Sequence, residues 1–375
     1  MTGRGTISRH APGKLFIAGE YAVLEPGRPA ILVAVDRQVS VTVSEGEGAD
    51  VVIDSDLCPA ETQLGRGTGG LAGLGADDER QAADSLAHVV SAIDVVDALL
   101  AERGLSAPAL HLSIRSGLHH DGTKIGLGSS GAVTVAAVDA VAAYCGMELS
   151  PDARFRLALL ATARHAPRSS GGDLAASVWG GWIAYRAPDR AAVLEMARRE
   201  GIEGSLRAPW PGFGLCRLPP PRGLALEVGW TGRPASTASL SGRLRALDWH
   251  GSSSHRHFLA RSGACVEASI RALRQGDDGE LSRQVREARR VLAELDEEIG
   301  LGIFTAELTA LCDAAEAVGG AAKPSGAGGG DCGIALLDAT AQTEISQLRD
   351  GWAAAGVLPM PIQVQPTNPM TGSAE

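Results

Sequence analysis

The chain reads as an α+β protein of two domains, and three observations predict it. Strand-like and helical periodicities mix without the regular βαβ alternation of a doubly wound sheet. Proline is dense from Pro209 to Pro221, as expected of a domain junction. A length of 375 residues, 45% hydrophobic and 21% charged, suits two ordinary globular units. The expected division is 1–215 and 216–366, with 367–375 a disordered tail.

Taken in order, Ala30–Ser44 reads as strand, with clear alternation from Val39 to Val43, and Val51–Ile53 continues the sheet. Ala60–Asp78 is glycine-rich and aperiodic, hence a long mobile loop. Ala82–Arg103 places Leu86, Val89, Ile93, Val96 and Leu100 at helical spacing, and Gly104 ends it. Ala109–Ser116 alternates like a half-solvated antiparallel strand. Gly131–Tyr144 and Pro151–His165 read as helices and Val178–Arg186 as a strand. Leu224–Trp230 opens the second domain. Helices over 240–274, 279–298 and 304–318 follow, then a strand at Gly333–Leu337, a helix, and a last strand near Pro361–Gln365.

A net charge of −10 argues against a nucleic-acid surface but leaves an anionic small molecule open, because local cations decide that. Six cysteines without a C-x-x-C pair read as reduced thiols rather than a zinc site. No leader-like or membrane-length apolar run occurs, so the expectation is a cytoplasmic protein with no membrane partner. Oligomeric state is not legible.

Lys323–Asp331 is the most informative stretch: four of its nine residues are glycine, between a Lys-Pro entry and an Asp-Cys-Gly exit. Such a run lets backbone N–H groups wrap an anion, with Lys323 adding charge and Ser325 a hydroxyl. A flexible surface loop is the plainer alternative. Lys14 follows a Pro-Gly turn and enters an apolar strand, where it is either a solvated edge charge or a phosphate-neutralising cation. Glu20 pairs with a Lys or faces water.

Lys124–Ala132 contains a literal G-x-G-x-x-G at Gly126, Gly128 and Gly131. A dinucleotide-binding oxidoreductase would use it, with Glu148 at a tolerable distance for the ribose. Against that, several polar residues separate the preceding strand from the first glycine, where the fingerprint needs an immediate turn. A phosphate loop feeding a helix N-terminus fits better: free N–H groups and the helix dipole favour a polyphosphate. Ser129 and Ser130 either cap the helix or donate to phosphate, and one hydroxyl could hold Mg²⁺. Asp173, after a Gly pair, is an N-cap or a carboxylate aimed at the acceptor.

Pro12–Leu24, Lys124–Ala132, Ser169–Gly181 and Lys323–Gly333 together resemble the signature motifs of the GHMP small-molecule kinases, in family order across nearly the whole chain. The resemblance implies a first domain like part of ribosomal protein S5, a ferredoxin-like second domain, and ATP, Mg²⁺ and substrate between them. It implies Lys124, Gly126, Leu127, Gly128, Ser129, Ser130 and Gly131 around the ATP phosphates, with Ser130 facing Mg²⁺. Lys14 and Asp173 then match the catalytic pair, and Ser170, Lys323, Ser325, Gly326 and Ala327 the substrate contacts. Gly229–Thr237 and the glycine run resemble the branch of the family whose acceptor is 5-phosphomevalonate; mevalonate is the alternative acceptor. One departure stands out: where mevalonate kinases carry a Mg²⁺-binding Glu, this chain has Thr162. Arg37, Arg233, His119 and His120 are further candidates for the substrate carboxylate. A catalytically silent binding protein is the remaining alternative.

Overall fold

The structure, a computed structural model, describes residues 5–235 and 249–366. The first domain is built on β1 (Ile7–Ala18), β2 (Pro29–Glu45), β3 (Val51–Ser55), β4 (Thr62–Gly67), β5 (Gly70–Gly73), β6 (Leu110–Ser116), β9 (Trp182–Arg186) and β10 (Gly214–Leu218). Their order is β10-β9-β2-β6-β3-β4-β5, with β1 also paired to β2. Only β3 and β6 run parallel among these pairs. A short hairpin, β7 (His119–His120) and β8 (Thr123–Lys124), stands apart. The helices are α1 (Ala76–Asp84), α2 (Ala87–Glu102), α3 (Ser129–Tyr144), α4 (Pro151–His165), α5 (Gly172–Trp179) and α6 (Arg190–Arg207).

The second domain pairs β12 (Ala321–Pro324), β13 (Cys332–Asp338), β11 (Leu224–Trp230) and β14 (Leu358–Met360) in that order. Its helices are α7 (Ser253–Gln275), α8 (Asp278–Ile299), α9 (Ala306–Ala317) and α10 (Gln342–Ala354). The α+β expectation holds.

Helix α3 explains much of the architecture. Its Ala- and Val-rich sequence is apolar all round, which suits a helix buried on every side. It packs on β1, β2, α2, α4 and α5, and this fixes its N-terminus beside β1. Helices α7 and α8 touch β2 and β1, so the second domain lies directly against the strands that carry the first motif. One apolar cluster runs from Leu15 and Val33 to Val228, Val266 and Ile334, crossing the domain boundary.

Several expectations need correction. Ala60–Asp78 is the β4–β5 hairpin and the start of α1. Gly73 is needed for close packing: a β-carbon there would lie 2.3 Å from the Glu79 backbone nitrogen. The predicted helix 82–103 is two helices broken at Ser85–Leu86; buried Leu86 keeps the apolar period running across the break. Val178 belongs to α5, whose end is set by Gly180 at φ 65°, and the strand begins at Trp182. Helix α7 starts at Ser253, capped by the Ser252 side chain, and the expected residues 240–248 lie outside the described ones. The last strand is Leu358–Met360. Beyond it the chain crosses back to the first sheet, where Val364 bridges Val35 and the Gln365 N–H donates to Ala34 O at 2.9 Å. The junction expected at 215 falls inside β10, which stays in the first sheet to Leu218. The 367–375 tail lies outside the described residues.

Candidate active site

Strand β1 delivers Lys14 to the N-terminus of α3. Its backbone N–H donates to Leu127 O at 2.8 Å and its ammonium to Gly126 O at 3.2 Å. The side chain is 8% exposed and passes over the Phe16 ring. The plainer alternative, a solvated edge charge, is therefore wrong: β1 is covered by α3, α5 and α8.

The glycines of the first loop exist because other groups come too close for a β-carbon. At Gly128 one would lie 3.0 Å from Lys14 Cε and 3.4 Å from Asp173 Cβ. At Gly131 it would lie 2.6 Å from Asp173 Oδ2, and at Gly126 2.4 Å from Asp331 Cγ. Lys14, Asp173 and Asp331, from three distant segments, thus converge on one turn. Gly126 and Gly128 also have φ of 89° and 77°, in the left-handed region.

Gly128 is the N-cap of α3, and no side chain caps that end. Ser129 and Ser130 are half-buried, with no hydroxyl partner among the described residues. No acid occupies the first turn. The result is a helix N-terminus with free donors and an adjacent ammonium, an arrangement that attracts phosphate. The dinucleotide reading fails here: β8 has two residues and pairs antiparallel with β7, so no parallel strand feeds the helix.

Asp173 sits in the first turn of α5 and is half-buried. Burial pushes its carboxyl above the usual carboxylate range, and Lys14 partly offsets this. Its Oδ1 accepts its neighbour's N–H, from Leu174, at 3.0 Å. Ser170 lies just before this helix; its Oγ accepts the Gly172 N–H at 3.3 Å and its carbonyl the Tyr185 hydroxyl at 2.6 Å. Lys124 is exposed at the end of β8.

The second glycine loop reaches the same place, but two of its expected contacts need correction. Lys323 is 0% exposed; its ammonium is bound to Glu20 and, at 2.7 Å, to Pro324 O. It is enclosed and open to no ligand. Ser325 is buried as well, its Oγ taking the Phe16 N–H at 2.9 Å and donating to Phe16 O at 3.1 Å. Gly326, by contrast, lies beside Lys14: a β-carbon on it would be 3.9 Å from Nζ. The Ala327 carbonyl accepts the Tyr21 hydroxyl. Gly328 packs on Ile303, and the Gly329 N–H donates to Ile303 O at 2.9 Å, so part of the glycine run serves packing rather than a ligand.

Two groups were missed from sequence. Asp331 has φ 53°, and its side chain accepts the Ala235 N–H at 2.9 Å while pressing on Gly126; burial raises its pKa. His88 and His165 meet at 2.9 Å, and Thr134 of α3 lies 3.5 Å from His88; burial lowers the His88 pKa to about 4. Neither has a local sequence signature, since each contact joins separate elements. Arg233 pairs with Glu307 at 3.2 Å while its side chain stays exposed, and the exposed His120 stands edge-on to Trp230. Among the described residues, Glu25, His250 and His255 form the one trio with metal-ligand spacing. The Gly251 N–H donates to His255 Nδ1 at 3.0 Å, which puts a neutral ring's proton on Nε2 and leaves no nitrogen for a metal. Thr162 is buried with its hydroxyl unpartnered.

A family model described as the GHMP kinases N terminal domain matches residues 87–181, and one described as GHMP kinases C terminal matches 269–354. The chain is 63% identical to a phosphomevalonate kinase from Streptomyces sp. (strain CL190), over 96% of this chain and 98% of that one. Among solved structures, a Lin0012 protein from Listeria innocua superimposes with a TM-score of 0.87 at 32% identity, covering 98% and 100% of the two chains. The Streptococcus pneumoniae phosphomevalonate kinase in complex with phosphomevalonate and AMPPNP superimposes with a TM-score of 0.82 at 28% identity, covering 96% and 99%.

Proposed function

Since this chain belongs to the GHMP kinases, we propose that it transfers the γ-phosphoryl group of ATP to (R)-5-phosphomevalonate, giving (R)-5-diphosphomevalonate and ADP. The observation that carries the choice of acceptor is the 63% identity, over almost its full length, to a phosphomevalonate kinase. We place the reaction in the cytoplasm. No helix among the described residues is long and apolar enough to cross a membrane.

The acceptor's attacking atom is a phosphate oxygen. With a second pKa of about 6, a phosphate monoester is already largely ionised at neutral pH. A strong base is therefore unnecessary, and the difficulty is to bring two polyanions together. The N–H groups and hydroxyls at Ser129–Gly131 hold the ATP phosphates, with Lys124 at the rim. Lys14 neutralises charge as the phosphoryl group moves, the kind of preorganised electrostatics that contributes most to such a step. Asp173, pressed against Gly131 and Gly128, orients Lys14 and the substrate. Ser170, Gly326 and Ala327 border the acceptor's place. Lys323 and Ser325 act from behind, through the backbone they anchor.

The half-buried Ser130 hydroxyl, without a partner among the described residues at an uncapped helix N-terminus, fits a hard cation, and Ser130 would hold Mg²⁺ there. Bound Mg²⁺ supplies charge neutralisation to the phosphates. Thr162 offers no carboxylate where mevalonate kinases carry their Mg²⁺-binding Glu, so Ser130 is the one protein ligand proposed here.

An ADP-release assay with 5-phosphomevalonate and with mevalonate tests the reading. Turnover of the phosphorylated acceptor is expected. Robust turnover of mevalonate alone would assign the chain to a hydroxyl-directed kinase instead.

A further inference from the structure

We propose that the buried Glu20–Lys323 ion pair is a positioning device that sets the Pro324–Gly326 turn against Lys14; this rests on the kinase reading above. Both side chains are almost fully enclosed, at 3% and 0% exposure, and they come from different domains. Such a pair contributes little net stability, because desolvating two charges offsets their attraction. Its contacts point to a different purpose.

Each partner also grips the backbone on one side of Ser325. Lys323 Nζ donates to Pro324 O at 2.7 Å, and Glu20 Oε1 accepts the Gly326 N–H at 3.4 Å. Ser325 itself is locked to both the N–H and the C=O of Phe16. Pro324, Ser325 and Gly326 are thus fastened to Phe16 and Glu20, which belong to the same continuous segment as Lys14. The spacing between the Lys14 ammonium and Gly326 follows from these attachments. A hydrophobic pair of equal volume would fill the space but hold neither the Pro324 carbonyl nor the Gly326 amide. Lys323 and Glu20 are therefore positioning residues, acting through the turn rather than on the substrate.

The test compares wild type, Glu20→Gln, Lys323→Met and the double variant Glu20→Leu/Lys323→Met. Three readouts are needed: melting temperature, hydrogen exchange across residues 325–330, and steady-state ADP release with 5-phosphomevalonate. Each single change leaves one buried group unpaired and lowers Tm. The double variant is expected to recover part of the Tm lost in the single variants while exchange at 325–327 stays fast and kcat stays at least about tenfold down, with KM for ATP within about threefold. Recovery of kcat together with Tm would make the pair merely structural and overturn the proposal. So would wild-type exchange and kcat in Lys323→Met. If wild type releases no ADP, the kinase reading fails, and the exchange data alone still decide whether the pair holds the turn.

Discussion

The Asp173 carboxylate occupies the space that a β-carbon on Gly131 would need, with Oδ2 2.6 Å from that position. A residue at the start of one helix and a residue at the start of another are thus packed as a unit, and both helix N-termini face Lys14. The first prediction follows from that contact. Gly131 lies inside α3, where alanine is favoured over glycine by about 1 kcal/mol. Gly131→Ala should fold normally yet displace the carboxylate, lowering kcat by up to about 10²-fold, the scale of a 1 Å misplacement. Circular dichroism and steady-state kinetics on the same sample check both halves.

Lys14 should matter more than Asp173. With an acceptor oxygen already ionised, removing the cation removes transition-state stabilisation, while removing the carboxylate disturbs orientation. Lys14→Met should lower kcat by at least about two decades, and Asp173→Asn by less. Side-by-side kcat values decide; a larger loss in Asp173→Asn would reverse the ranking.

Asp173 also carries a stability signature. Its folded pKa lies above the unfolded value of about 3.9, because burial outweighs the help from Lys14. Between those two values the native state binds more protons than the unfolded state, so stability falls as pH rises through that window. Asp173→Asn should therefore raise Tm of the ligand-free protein at pH 7, with the gain fading as pH drops toward the unfolded carboxylate pKa. Thermal melts of both proteins at matched pH values measure it.

Ser130 should show in metal binding rather than in folding. Ser130→Ala leaves the α3 backbone intact and removes one oxygen ligand from the expected Mg²⁺ position. The Mg²⁺-dependent gain in ATP affinity should shrink by about tenfold, the size of a lost contact to a charged group of about 1.5 kcal/mol. Calorimetric ATP titrations with and without Mg²⁺ read it directly, and an unchanged gain would remove Ser130 from the metal.

The four motifs, their order and the α+β mixture were legible in the chain itself, because glycine density, helix periodicity and strand alternation are local properties. Lys14, Gly126–Gly131, Asp173 and Gly326 stand out at that level alone, and the family resemblance supplies their roles. What local pattern could not give was which groups stand behind which. The glycines of Ala60–Asp78 suggest freedom by composition alone, whereas Gly73 is there for contact with α1. Lys323 looked like a ligand for phosphate because a lysine beside a glycine run usually is one. Its burial against Glu20 depends on β12 meeting the segment after β1, some 300 positions away in sequence, and no local spacing encodes that. Composition and periodicity determined the elements and the chemistry available to them. Only the packing of the second domain on β1 and β2 decided which charges converge on the Gly126–Gly131 turn and which are enclosed, since burial is a property of the whole fold.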